Sequence, residues 1–554
     1  MRSEEWTRKA KLKRVLIKDG AGPVVFCENG NIYVNTGEGH VMWLGVSGAG
    51  KSRRGLIPFA MSVIKNQQSG VFIDPKGEIY QYTKDMISCL YDLHVIDFRK
   101  LFEKSAEGWN PLSGAYKLWK SGSPKDKHEA GQLIEELAFA MFPNSVHADA
   151  FWINEARALF IGVVYALFSY AKPEQINLAS CYYMIAEGEE RYGACSYIKE
   201  FVKIVAKNES VAMQLESYVT TASDTAGGIR SVYLDGLSQY ARSEFVRDFL
   251  SHDELRIDEL KGDRPTLVYI ILPDETKIFD HIAATLCSQM MNHYIRIAEQ
   301  DYNGKLPVRI NFLLDELGNI GGALKDSLPH LLTAGRSRNI RCGLALQSLS
   351  QLQAVFGAEN AQTIISNCDV RITYRVNDYN TLSELSKLLG EKEINCDGHV
   401  SREPLATPSQ LSAFTTGQCL VMISGRLKFI TTLPDFTEMN ISHYRPEKTA
   451  VVTRRKIGEF SFFDIKDFVK RAKTEEMNEK NSFSIHGFLQ TDNTVDKKEN
   501  AERKKCVYGD DQLLDELIKN IDRQIAELEE EERKEKKAKK DKKERKVSKE
   551  DEKT

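Results

Sequence analysis

The chain has 554 residues, 42% of them hydrophobic and 28% charged, with a formal net charge of −3. That apolar content supplies a real core over most of the length and excludes a chain disordered throughout. The near-neutral charge neither supports nor excludes a nucleic-acid partner, because basic residues can be confined to one channel.

Residues 1–38 form an N-terminal segment that opens with MRSEEWTRKAKLKRVLIKDG, charged and without an apolar h-region. This predicts no secretory signal and a chain that stays inside the cell. The ten cysteines are scattered, with no CxxC pair, and read as reduced core thiols of a cytoplasmic protein.

Residues 39–127 read as the first part of an α/β domain, with short aliphatic runs VMWLG at 41–45, GVFID at 70–74 and LHVID at 93–97 that predict buried parallel strands. Directly after the first run comes Gly45-Val46-Ser47-Gly48-Ala49-Gly50-Lys51-Ser52, a full GxxxxGK[ST] signature, then RRGLIPFAMSVIK, which can form a helix despite Pro58. In such a loop Gly45, Ser47, Gly48 and Gly50 let backbone N–H groups approach phosphates. Lys51 then reaches the β and γ groups, and the Ser52 hydroxyl ligates Mg²⁺. A chance glycine-rich turn is the alternative, and the flanking strand and helix count against it.

Residues 128–255 carry helical periodicity, as in GQLIEELAFAMF and FWINEARALFIGVVYALF, and read as an inserted all-α domain. The apolar run Ala158–Ala171 falls short of the ~20 residues of a bilayer span and predicts a buried helix.

Residues 256–440 resume the sheet with TLVYIIL at 266–272, INFLLD at 310–315, IRCGLAL at 340–346 and CLVMIS at 419–424, which suggests one sheet split by the insertion. Asp315 and Glu316 end a buried strand; Asp315 is the candidate for the Mg²⁺ shell and Glu316 the candidate general base. Gln347 ends the next strand and is placed to sense the γ-phosphate or position water. Arg336, with Arg338 second, is the candidate finger into a neighbouring subunit; a surface ion pair or a DNA-phosphate contact are the other readings. Residues 441–506 read as a polar linker. Residues 507–554 form a charged tail in which Leu514, Ile518, Ile521, Ile525 and Leu528 predict a solvated helix.

The residues from about 40 to 435 resemble the TraG-like coupling ATPases of type IV secretion, within the wider FtsK and HerA group of P-loop pumps. Besides the phosphate loop, the likeness rests on Asp74-Pro75-Lys76-Gly77-Glu78, Trp109-Asn110-Pro111-Leu112, Phe151-Trp152, LLDELGNIG at 313–321, GRSRNI at 335–340, QSLSQL at 347–352 and SNCD at 366–369. It implies a RecA-like P-loop NTPase domain interrupted by an all-α domain, and an ATPase using ATP and Mg²⁺ with Asp74 and Lys76 in the nucleotide neighbourhood. It further implies a homo-hexamer that passes single-stranded DNA with an attached relaxase to the channel components of a type IV secretion system.

Typical members begin with paired membrane-spanning helices, whereas here about forty residues without a span precede the phosphate loop. The expected location is therefore cytoplasmic and peripheral at the inner membrane face. Attachment would run through Arg8, Lys9, Lys11, Lys13 and Arg14 on anionic lipid, or through a separate membrane-anchoring subunit. Two other functions fit the same residues: an ATP-binding receptor for secreted proteins, and a DNA pump of chromosome partition or processing.

Overall fold

A computed structural model describes residues 5–103, 107–144, 149–322, 324–396, 399–424, 426–452 and 460–491. It divides into two compact units after Lys473.

The first unit is built around a nine-stranded sheet: β1 Val41–Leu44, β2 Ser69–Asp74, β3 Asp92–Asp97, β4 Thr266–Ile271, β5 Ile310–Leu314, β6 Ile340–Leu346, β7 Val370–Thr373, β8 Gln418–Ile423 and β9 Leu427–Thr432. Their order is β9-β8-β7-β1-β6-β5-β2-β4-β3. From β7 to β3 all neighbours pair in parallel. The seven runs read from the sequence are all strands of this one sheet, as expected. β8 differs in direction, pairing antiparallel with both β7 and β9. The connection from Thr373 to Gln418 leaves and re-enters at the same sheet edge, so β8 has to run back.

Continuous apolar runs are what a sheet covered on both faces requires. β1 shows the division: Met42 and Leu44 join the hydrophobic cluster on one face, and Val41 and Trp43 join that on the other. On the second face lies helix α1, Ile57–Lys65, whose Phe59 meets Trp43 edge-on at 5.5 Å. A π-helical turn, Ser52–Leu56, precedes it and sets Pro58 in the first turn of the α-helical part, where the missing N–H costs little.

Trp43 also needs room from β6. A Cβ on Gly343 would stand 2.7 Å from the Trp43 ring and 3.1 Å from Leu313. Gly343→Ala is therefore expected to cost about 1–3 kcal/mol through overpacking. Thermal denaturation checks it, and an unchanged midpoint would contradict the packing described.

Between β3 and β4 the chain is helical, including α2 Pro124–Met141, α3 Ala150–Tyr170 and α4 Ser223–Ala241. A two-residue strand pair, Arg191–Tyr192 with Cys195–Ser196, is set among these helices. Ser123 and Asp149 cap α2 and α3 by accepting from Asp126 N and Phe151 N. Leu137, Phe160 and Phe249 of this segment belong to the same hydrophobic cluster as Ile270 and Phe312 of the sheet, so helices and sheet share one core.

Among the described residues α3 alone is long and apolar enough to cross a membrane, and 61% of its apolar window is buried, which agrees with a core helix. Cys181, Cys287, Cys342, Cys368 and Cys419 are buried free thiols, whereas Cys89 is exposed.

The polar linker expected from 441 needs correction over its first part. Cys89 N donates to Lys448 O, Ala450 N donates to Ile87 O, and Ser461 N donates to Glu174 O. Phe463, Ile465 and Val469 are buried in the main cluster. A few well-spaced aromatic and aliphatic residues dock this stretch despite its polar composition. A helix then runs Ile465–Thr491. The tail expected over 507–554 lies outside the described residues.

Candidate functional site

The crevice at the C-terminal ends of β1, β2, β5 and β6 encloses about 270 Å³. Ligands of open α/β sheets bind at this edge. Its walls bring together Ser47, Gly48, Gly50, Lys51, Ser52, Lys76, Asp315, Glu316 and Gln347, residues scattered over 300 positions of sequence.

The 45–52 loop leaves β1 with Gly45 N bonded to Leu346 O at 3.1 Å and turns at Gly48 (φ +74°) and Gly50 (φ +106°). Both are left-handed conformations that cost a side-chain-bearing residue free energy, hence the glycines. Lys51 folds its side chain back over the loop, donating to Gly45 O and, at 3.3 Å, to Val46 O. Burial lowers its pKa, while the carboxylates of Asp315 and Glu316 oppose that shift. Arg53 next in line pins the helix start: it makes a two-pronged contact with Asp435 at 2.6 and 2.9 Å and stacks on Phe436.

Asp315 and Glu316 enter from the end of β5. Desolvation in the crevice and the adjacent Glu316 charge push the Asp315 carboxyl up to about 7, with Lys51 working against both. Glu316 takes a left-handed backbone (φ +52°, ψ +46°), strain of ~1–2 kcal/mol for a residue with a Cβ. Such strain clusters at functional sites.

The Asp74 stretch contributes differently from its expected role. Asp74 itself is buried, accepts from Tyr80 N at 2.9 Å and has its carboxyl raised to about 6 by burial, so it shapes the turn instead of lining the crevice. Gly77 (φ +73°) lies beneath the Arg99 guanidinium, which bonds Asp97 and donates to Lys76 O. The turn thus presents Lys76 and Glu78 to the crevice.

Arg336 is not part of this crevice. It follows helix Ser327–Gly335 and pairs with Asp369 at 3.4 Å, just before β7, at the opposite edge of the sheet. Arg338 pairs with Glu299. Neither reaches the site of its own chain.

Further polar wall residues had no role assigned from the sequence, among them Arg53, Arg54, Asn319, Gln351 and Thr416. Asn319 lies three residues after Glu316 and Gln351 four after Gln347, one helical turn in each case, and that spacing was a usable signal. Thr416 had none, since it arrives from the antiparallel side of the sheet.

A divalent cation fits the donor set. Ser52 and Asp315 are hard oxygen donors in one wall, and the mutual repulsion of Asp315 and Glu316 is what a cation would relieve. No group of three or more His, Cys, Asp or Glu among the described residues is arranged to hold a metal alone. Mg²⁺ in phosphate sites commonly takes one or two protein oxygens and completes its shell from water and phosphate.

A phosphate-type loop after the first strand of a mostly parallel sheet, with an acid pair two strands away, defines a P-loop protein of RecA-like architecture. The chain belongs to the type IV secretory system conjugative DNA transfer family, whose model matches residues 2–412. Among curated proteins it resembles Protein VirD4 of Rhizobium rhizogenes, 21% identical over 385 residues, 69% of this chain and 53% of the relative. VirD4 of Rhizobium radiobacter is likewise 21% identical over 388 residues, 69% and 52% of the two chains. The chain thus spans about half the length of these relatives.

The solved bacterial conjugative coupling protein TrwB shares the fold, with a TM-score of 0.59 at 16% identity, covering 82% of this chain and 97% of that one. TrwB in complex with the non-hydrolysable ATP analogue ADPNP superposes with a TM-score of 0.60 at 16% identity, covering 83% and 97%.

Proposed function

We propose that this chain is an ATPase that drives DNA transfer into a type IV secretion channel, as a cytoplasmic hexamer acting at the inner membrane face. The observation that carries this reading is the convergence of Lys51 and Ser52 with Asp315 and Glu316 in one crevice, in a chain of the conjugative transfer family.

The crevice residues divide the work. Loop N–H groups and Lys51 hold the triphosphate, and Lys76 adds a second cation on the same side. Ser52 and Asp315 would hold Mg²⁺, which supplies charge neutralisation on the phosphate oxygens. Glu316 accepts a proton from the attacking water as the bond between the terminal phosphorus and its bridging oxygen breaks, yielding ADP and phosphate. Gln347 orients that water or reads the terminal phosphate. Solved TrwB complexes with ADPNP and with ADP and Mg²⁺ support this choice of ligands.

Arg336, on the far sheet edge, serves a neighbouring subunit's nucleotide, which makes the ring the active form. The transported substrate is single-stranded DNA with an attached relaxase. The helices of 128–255 receive it, channel components accept it, and a separate membrane-anchoring subunit or the basic N-terminus holds the ring in place.

ATP turnover is expected to rise when single-stranded DNA is added and the stimulation to fade from 50 to 200 mM salt, since backbone contacts dominate such binding. Turnover that ignores DNA at every salt concentration would overturn the pump reading.

A further inference from the structure

We infer that Asn319 is the positioning residue of the water-activating carboxylate, with Lys277 as its anchor. This deepens the ATPase reading and rests on it.

Glu316 stands at the junction of β5 and the four-residue helix Leu317–Ile320, in a left-handed conformation. A side chain on such a junction needs an external partner to hold one rotamer. Asn319, one turn on, supplies it: Asn319 Nδ2 donates to Glu316 Oε2 at 2.9 Å. The other end of the same amide is also held, because Lys277 Nζ donates to Asn319 Oδ1 at 3.1 Å.

The chemistry leaves one orientation for that amide. Only its NH₂ can face a carboxylate and only its oxygen can face an ammonium. A lysine on the loop after β4 thereby fixes an amide on the short helix after β5, and the amide occupies one oxygen of Glu316. Oε1 is left to take the proton of water. Asn319 lines the same crevice as Glu316, Lys51 and Gln347, so the contact is made beside the reacting groups.

The arrangement predicts that two small substitutions displace Glu316 in different ways. Asn319→Asp keeps the volume and the Lys277 contact but turns an acceptor toward Glu316, so the carboxylates repel and Glu316 swings away. Asn319→Ala removes both contacts and lets Glu316 wander. A misplacement on the order of 1 Å can cost a hundredfold.

The test is steady-state ATP hydrolysis by the full chain, with Glu316→Gln as control. Asn319→Asp and Asn319→Ala are expected to lower kcat by ~10-fold or more, with KM within ~2-fold of wild type, since the triphosphate is held by other residues. Lys277→Met is expected to lose ~3-fold alone and nothing further in the Asn319→Ala background, because the two act through one contact. A merely structural Asn319 would tolerate the near-isosteric Asp, which still pairs with Lys277. If both Asn319 variants keep kcat within ~2-fold while Glu316→Gln is inactive, the positioning role is overturned and the ATPase reading stands. Independent, additive losses at Lys277 and Asn319 would remove Lys277 as the anchor. If Glu316→Gln itself turns over normally, the assignment of the base is what fails.

Discussion

Lys51→Ala is expected to weaken ATP binding by a hundredfold or more and to leave no measurable turnover. The Lys51 ammonium lies over the 45–52 loop on carbonyls of Gly45 and Val46, and its charge is matched by Asp315 and Glu316 across the crevice. When a triphosphate enters, the same ammonium exchanges carbonyl partners for phosphate oxygens. Each charge-assisted hydrogen bond lost is worth about 1.5–3 kcal/mol, and two of them amount to at least two decades in affinity.

The change removes no core contact, so the fold is expected to persist, which separates loss of binding from loss of structure. Equilibrium titration with a fluorescent ATP analogue, beside a thermal melt, checks both. Affinity within threefold of wild type would mean that the loop does not hold the phosphates.

Glu316→Gln is expected to do the reverse: nucleotide still binds, and turnover falls by about 10²–10⁴, the contribution typical of a positioned general base. Glutamine has the same shape, and its amide oxygen can still accept from Asn319 Nδ2. Removing the negative charge also relieves Asp315, whose carboxyl Glu316 helps to push upward, so Asp315 ionises more readily. Single-turnover hydrolysis at saturating ATP isolates the chemical step. A wild-type rate there would assign the base to another group, while loss of binding would show that Glu316 holds ligand instead of activating water.

Much of the site was legible because its parts obey local rules. The loop Gly45–Ser52 must follow a strand and open a helix, and its left-handed turns at Gly48 and Gly50 demand glycine, so the motif reports its own conformation. The acid pair at Asp315–Glu316 is marked by the buried run before it. Even Gln347 is marked by the strand it ends. Asn319 and Gln351 lay within one turn of these residues, but helical spacing alone does not say which side chain a neighbour will touch.

Other features had no local signature. The part Asp74 plays had no local signature, because a burial-shifted carboxyl inside a turn and a ligand-facing one look alike in a sequence; the Tyr80 N contact places it in the turn. The strands β7 and β9 were missed, being short or partly polar, and the reversal of β8 depends on where a 44-residue connection re-enters the sheet. The docking of residues 441–452 and 460–473 on the main body escaped composition because a handful of apolar contacts outweighs many solvated side chains.

The sequence by itself determined the sheet's buried strands, the phosphate-type loop, the acid pair and the helical stretch between them, because strand burial and loop geometry are dictated by residues close together in the chain. Only the tertiary structure decided that Arg336 faces away from its own crevice, that Thr416 and Arg54 border it, and that Lys277 reaches Asn319. Those facts depend on strand order and direction, which are settled by how two hydrophobic faces are covered at once, and no short stretch of chain carries that information.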